Sequence, residues 1–576
     1  MVTQIGNEAD VPKTIVRLYP TGAIPASAKQ NILGIIGTAS AGPAMQVFTC
    51  TSSQEVKNAF VSGPLCRAGQ LAFYNELQDA YMVRVLAAGY ATASYQLQDG
   101  LSNNAGLLTA ASAGNRGNSV RVVIGDGTFH SHDDEYFPGD GTVGPYYLEH
   151  RDLIGPWPAT GTDKNTVEVD GVNFTPVYSG GSLATGKVYV NKSTGSLTFF
   201  EGEAPSAYST IEVNIAYKTK MLTIYDGNTV FPSIDNLSDP VAIQAALSEN
   251  SYVNYTKDTT ITHLPANGTY KLAGGSDGTG AITANDWDEA IQVLRDYLDV
   301  MQTGITVMTL TQTSVDNDGS YDLLSLAEGH CAEMEQDWEP CLWVLGADED
   351  DSTSDIIQIV SPHAHRNMVF VANPWGGEID PPRTNGWIAL AAKEAQLPLG
   401  DDSAERSSLN AIYGMQGLLT TYRKATVRGL QKNRITVLIK ENAGIFPNWS
   451  RTLGIDWQFA DAVDNRTINY VLRMLYKISK QYYFKKNTPD VRSDFKASIA
   501  QQLNQLLEDY VAVKYILEVR GPGDRGYAYT DNGRVDVNLQ IENVGHIKSI
   551  YIDYGVGILE DGSNVVYAPN IYSQDE

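Results

Sequence analysis

Residues 31–63 read NILGIIGTASAGPAMQVFTCTSSQEVKNAFVSG, and residues 68–90 read AGQLAFYNELQDAYMVRVLAAGY. The apolar run Ile32 to Ile36 stops at Gly37, and Gly42-Pro43 marks a turn. Thr51-Ser52-Ser53-Gln54-Glu55 is a helix start, in which a hydroxyl caps the first free N–H groups and a glutamate reaches back. It opens an amphipathic stretch that runs to Phe60. A second helical stretch carries Leu71, Phe73 and Leu77 and leads into Tyr81-Met82-Val83-Arg84-Val85, which reads as a strand. The order strand, turn, helix, helix, strand makes a small α/β unit.

The rest of the chain bounds what this unit belongs to. There are 576 residues, enough for about three or four domains. Formal charge is −26, from 67 acidic and 41 basic residues. Such a field repels phosphates, so no direct nucleic-acid contact is expected. No apolar run approaches about 18 residues, so no membrane insertion is expected, and the opening MVTQIGNEADVPK has no signal-peptide pattern. Cys50, Cys66, Cys331 and Cys341 form no CxxC pair and read as reduced core thiols. The 32 tyrosines and 52 glycines suit a β-rich, interface-rich protein.

Six segments follow from pattern changes. Residues 1–30 are a polar leader with one strand-like run, Thr14-Ile15-Val16-Arg17-Leu18-Tyr19, which has no evident local partner. Residues 31–100 hold the α/β opening. Residues 101–265 lose helical periodicity; strand-like runs at Val120–Ile124, Thr166–Val169, Lys187–Val190, Ser196–Phe200 and Ile211–Ile215 alternate with turn signals, as in a β-sandwich. Residues 266–384 return to α/β order, with a helix from about Ala284 to Leu298 and strands at Ile305–Leu310, Leu342–Leu345 and Met368–Val371. Residues 385–554 form an α+β region with helices at about 461–486 and 491–510 and strands at Tyr515–Val519, Arg534–Ile541 and Ile547–Tyr551. Residues 555–576 are a Gly/Asn/Ser-rich tail or second arm.

The opening resembles that of contractile tail sheath proteins of myophages and related injection systems, where a "giiG.a..Gp" segment, two helices and a "vRV" strand recur in this order. Ser112-Ala113-Gly114-Asn115-Arg116-Gly117-Asn118 before Val120 is similar to the sheath "pG.wGN.i.V.v" segment, with Arg116 where the family has an aromatic. Leu272-Ala273-Gly274-Gly275-Ser276-Asp277-Gly278 is similar to its "L.GG.dG" junction. Gly186 to Tyr217 resembles a "tGkltF..aP" module of phage structural proteins. The resemblance spans roughly 60% of the chain, by the order of several short motifs. It implies a mixed α+β and α/β multidomain fold: a sheath-like core of an α/β domain and a C-terminal α+β domain facing the tube, with the β-sandwich-like insertion outside. It also implies a structural protein, not an enzyme, that stacks as hexameric rings around a tail tube and contracts to drive the tube through an envelope. The partners implied are further copies of the chain, the tail tube protein, and baseplate and tail terminator proteins; the implied place is a virion tail assembled in the host cytoplasm. A different β-rich virion part (baseplate, capsid or receptor-binding protein) is the alternative.

Candidate sites follow. Residues 465–486 carry Arg466, Arg473, Lys477, Lys480, Lys485 and Lys486 and no acid. At about 100° per residue, Arg466, Arg473, Lys477 and Lys480 share a stripe opposite Ile468, Val471, Leu472, Leu475, Ile478 and Tyr482. The expectation is one face in the core and one line of positive charge outward; under the resemblance this stripe contacts the tube, and Thr14 to Tyr19 form an arm strand that adds to a neighbour's sheet. Gly521-Pro522-Gly523-Asp524-Arg525-Gly526 matches G-x-G-x-x-G but strand or turn material follows, so it reads as a loop. His130 to Glu135, Asp348 to Asp351, and His363 with His365 read as solvated loops, a helix start and ordinary histidines. No catalytic constellation, metal site or cofactor is expected.

Overall fold

The helix start forms as its residues dictate. In the computed structural model Ser52 caps the helix Ser53–Phe60, its hydroxyl accepting from the Glu55 amide at 3.3 Å. Glu55 returns to the Thr51 amide at 2.6 Å and hydroxyl at 2.9 Å, and these bonds hold its carboxyl below the ordinary range. Gly42 has φ +111°, and a Cβ there would lie 2.6 Å from the Phe60 ring, so the turn needs glycine on both counts.

The structure describes residues 32–543 apart from 101, 132–133, 149–152, 159–161, 180–182, 249, 251, 258–263, 298–304, 316–319, 377–384, 406–409, 416, 457–459, 509–511 and 526–532, together with 3–5, 16–18, 556–558 and 564–566. The chain divides into two compact units, Ile35–Gln70 with Ala80–Tyr297, and Met1–Gly34 with Leu71–Asp79 and Leu298–Glu576.

The first unit holds the β-rich insertion. The strands Val120–Ser131 and Tyr217–Asp226 pair antiparallel, flanked by Gly268–Lys271 on one side and Thr229–Val230 and Ile234–Leu237 on the other. A seven-stranded sheet lies between them in sequence, running from Tyr146–Tyr147 through Ser196–Phe199, Lys187–Asn191, Val172–Val177, Thr166–Val169 and Thr210–Asn214 to Asp134–Pro138. All its pairs are antiparallel except Val172–Val177 with Lys187–Asn191. Alternate residues point inward, and Val167, Val188, Val190, Phe199, Ile211 and Val213 share one hydrophobic cluster with Val122, Ile124, Leu222 and Ile224 of the other sheet. That shared core is the sandwich-like packing that alternation demands. Thr166–Val169 coincides with its expected span, and the other four expected runs each fall within a residue of an observed strand or extend into a longer one.

The second unit has parallel strands Val307–Leu310, Leu342–Gly346 and Met368–Val371. Every residue in them is buried, which is why they read as continuous apolar runs. Helices Asp322–Gln336 and Thr353–Val360 connect them. Further along, helices Ala462–Lys480 and Pro489–Glu508 pack with the antiparallel strands Ala512–Arg520 and Asp536–Asn543 around Leu472, Leu475, Phe495, Ile499, Leu503 and Leu517. The expected strand Ile547–Tyr551 lies outside the described residues.

Two sequence expectations need correction. Val16–Leu18 does have a local partner: it pairs antiparallel with Thr3–Ile5 and runs beside Asp536–Asn543. Thr14, Ile15 and Tyr19 lie outside the described residues. The outward charge stripe of the helix Ala462–Lys480 is also only half realised. Arg466 and Arg473 are 4% and 5% exposed, while Lys477 and Lys480 are exposed.

Candidate functional site

The helix Ala462–Lys480 has two buried sides, which explains that correction. Val471, Leu472 and Leu475 enter the apolar cluster. The side carrying Arg466 meets polar groups. Arg466 donates to the carbonyls of Glu394 (3.0 Å), Leu397 (3.0 Å), Pro398 (3.3 Å) and Asp401 (2.5 Å). These carbonyls end the helix Gly386–Gln396 and the turn after it, where no intrahelical donor remains. The guanidinium also pairs with the Glu394 carboxylate at 2.9 Å, which is 1% exposed in its side chain. Ser403 and Ser450 donate to the same carboxylate at 2.6 and 2.8 Å. One residue before Arg466 and three after it, Asn465 and Asn469 accept from Arg366, which in turn pairs with Glu335. Arg473 donates to the Ile305 carbonyl at 3.0 Å, and burial lowers its pKa. Periodicity finds a charged face; it does not say whether water or a second polar layer covers that face.

Past Arg473 the helix leaves this polar layer. Lys477 and Lys480 are exposed, and among the described residues neither is in an ion pair. The Lys480 ammonium sits 4.4 Å from the Tyr476 ring centre, and that of Lys485 4.0 Å from the Tyr482 ring. The turn after the helix carries Phe484, 90% exposed, in the left-handed region at φ +63°. Nothing in the charge pattern had marked Phe484; an apolar residue inside a run of lysines is the only trace it leaves in the sequence.

A second site gathers the short motifs themselves, all within the first unit. Arg84 of the "vRV" strand is 1% exposed. It donates to the carbonyls of Ala39 (2.9 Å), Gly42 (2.9 Å) and Ala113 (2.8 Å), and its other nitrogen lies 3.8 Å from Asp277. Burial lowers its pKa to about 10, with Asp277 opposing. Asp277 accepts from the Asn115 amide (2.9 Å) and side chain (2.7 Å), and Asn118 exchanges two bonds with Gly275 at 2.8 and 2.9 Å. Gly114, at φ +103°, would place a Cβ 2.2 Å from Asp277 Oδ1. The residue standing where the family has an aromatic, Arg116, pairs with Asp226. So the glycines and polar residues of four dispersed motifs serve one knot of hydrogen bonds.

The remaining candidates keep structural jobs. Gly521 to Asp524 form a turn held by the buried Arg492, which donates to the Pro522 carbonyl (3.4 Å) and pairs with Asp524 at 3.1 Å; no helix follows it in the described residues. Tyr321 donates to Asp351 and accepts from the Asp348 amide at 2.8 Å, so the acidic run is tied down before the helix Thr353–Val360. His363 sits 2.5 Å from Glu328 and His365 3.4 Å from Glu335. His132 and Asp133 lie outside the described residues, and among those described no three metal-ligating groups gather. All four cysteines are buried free thiols, and burial pushes Cys50 and Cys341 up to about 12. Among the described residues no helix is long and apolar enough to cross a membrane.

Along nearly its whole length the chain superposes on a sheath tail protein from Listeria innocua, with TM-score 0.55 and 10% identity over 95% of this chain and 96% of that one. The chain has the sheath tail protein fold. A sheath tail protein from Desulfitobacterium hafniense gives TM-score 0.50 at 13% identity, over 90% of this chain and 97% of that one. No family model matches the sequence, and no curated protein matches it. The sheath fold is thus shared in three dimensions where sequence identity has almost vanished.

Proposed function

We propose that this chain is the structural subunit of a contractile tail sheath, stacking as hexameric rings around a tail tube and contracting to drive that tube through a target envelope. The observation that supports it is the likeness to two sheath tail proteins over 90% or more of each chain. The partners proposed are further copies of the chain, the tube, and the baseplate and terminator proteins at the ends of a virion tail. The chemistry is mechanical: subunits exchange packings while remaining linked.

Both ends carry short two-stranded ribbons, Thr3–Ile5 with Val16–Leu18 and Val556–Ile558 with Asn564–Val566. A ribbon of three-residue strands is marginal in water, and a strand edge that is not paired offers free backbone groups. The reading is that each ribbon adds to a neighbouring subunit's sheet and keeps subunits tethered through contraction. Tube contact is assigned to Lys477 and Lys480, the exposed part of the basic helix.

Negative-stain electron microscopy of the purified protein at rising concentration tests the reading. Hollow striated cylinders are expected. Monodisperse particles at every concentration, with and without a tube, would refute it. Deleting residues 1–22 is expected to leave a folded monomer that does not polymerise; normal cylinders from that truncation would remove the arm role.

A further inference from the structure

We propose that Phe484 is an apolar anchor beside a cluster of lysines, and that this tip seats in an apolar notch on an acidic protein surface. The proposal rests on the tube-contact reading above and gives that contact its chemistry.

Four observations carry it. Phe484 is 90% exposed, so folding gains nothing from its ring. Its φ of +63° is a conformation that glycine or asparagine adopts with least cost. Either of those would hold the turn with less strain, so an exposed aromatic kept there at a cost makes the position a functional candidate. Lys477, Lys480, Lys485 and Lys486 lie within one helical turn and the following tight turn, with no acid between 465 and 486. Two of these ammoniums are held against Tyr476 and Tyr482, which positions those two charges before any partner arrives.

The partner follows by complementarity. The charge is compact, on a chain of net charge −26. An extended polyanion such as nucleic acid or an anionic bilayer would meet the field of a chain of net charge −26 as well as the tip and be repelled. A protein with a local carboxylate patch meets the tip alone. At an interface, burial of an exposed aromatic ring supplies affinity, and charges at the rim supply orientation and speed of encounter.

The test uses intact assembled particles of the full chain. With Phe484→p-benzoylphenylalanine, irradiation is expected to give one dominant adduct, on a different protein, at a peptide with carboxylates flanking apolar residues. Phe484→Gly is expected to melt at or above the wild-type temperature, because strain is relieved and no packing is lost. It should nevertheless lower the fraction of tube that sediments with the sheath by about tenfold or more, in both low and high salt. Lys480→Glu with Lys485→Glu should lose binding mainly at 0.1 M salt and little at 1 M, as screening shrinks from about 10 Å to about 3 Å. Adducts on a second copy of this chain, on lipid or on nucleic acid, or no adduct at all, would overturn the proposal; so would a Phe484→Gly variant that binds normally. Particles that are not striated cylinders overturn the sheath reading, whereas an acidic foreign adduct still upholds the anchor.

Discussion

One helix, Ala462–Lys480, carries four basic residues on one stripe, and its two halves use them in opposite ways. Arg466 and Arg473 are spent inside the protein, on the carbonyls that end another helix and on the Ile305 carbonyl. Lys477 and Lys480 are exposed beyond that polar layer. The residue types follow the difference. Arginine offers five donors in a rigid fork and suits several fixed carbonyls; lysine is a compact, hydrated charge that suits a screened, reversible contact. Spacing alone does not separate the halves, because both obey the same period. The choice of arginine over lysine does.

The largest expected effect breaks the buried half. Arg466→Met leaves the Glu394 carboxylate buried without its counter-charge, and should cost about 3–5 kcal/mol in urea unfolding. Adding Glu394→Gln should restore much of that loss, because the unpaired charge is gone. A single variant within about 1 kcal/mol of wild type would mean that water reaches the pair. Arg84→Lys comes next. Lysine cannot serve the Ala39, Gly42 and Ala113 carbonyls together, so about 2–3 kcal/mol should be lost. Asp277→Asn should cost well under that, since Asp277 is half exposed and 3.8 Å from Arg84; equal costs for the two would contradict the geometry.

These two arginines also show how far the sequence could be read. The strands and helices were legible because their causes are local. Ser52 and Glu55 make a capping box, and Val307 to Leu310 and Leu342 to Leu345 are apolar without a break, as two-sided burial demands. The sheath resemblance was legible through the motifs around Gly42, Arg84, Gly114 and Asp277, whose strict requirements come from the knot they form. What brings them together was not legible, because residues 39, 84, 113 and 277 meet only in the fold. The same holds for Arg466, whose partners lie about seventy residues upstream, and for Val16–Leu18, whose partner Thr3–Ile5 is a run of only three residues. Phe484 escaped notice because exposure of a single side chain is a property of the surface, not of a pattern.

The exposed half should respond in the opposite way. Lys477→Glu with Lys480→Glu is expected to leave unfolding free energy within about 0.5 kcal/mol of wild type, while assembly of the sheath on its tube fails at low salt. Electron micrographs of normal particles from this variant would remove the lysines from the contact. Loss of stability instead would show that this half, too, is spent internally, and the contrast along the helix would collapse.

The smallest effect lies at the edge of the buried half. His365 adjoins the Glu335–Arg366 pair that binds Asn465 and Asn469 of the helix. Burial lowers its pKa below the ordinary histidine value, with Glu335 opposing and Arg366 assisting. The unfolded chain therefore binds a proton at this site at higher pH than the folded chain does. Stability tied to His365 is complete above the unfolded value of about 6.5 and falls as pH drops through it toward the lower folded value. His365→Gln removes that proton. Its unfolding free energy should decline less steeply than wild type between about pH 7 and pH 5, with the two curves parallel above pH 7. Parallel curves throughout would mean that His365 binds its proton equally well in the folded and unfolded chains. A wild-type curve that declines less than the variant's would mean that Glu335, not burial, governs the ring, and that the layer beneath the helix is wetter than its packing indicates.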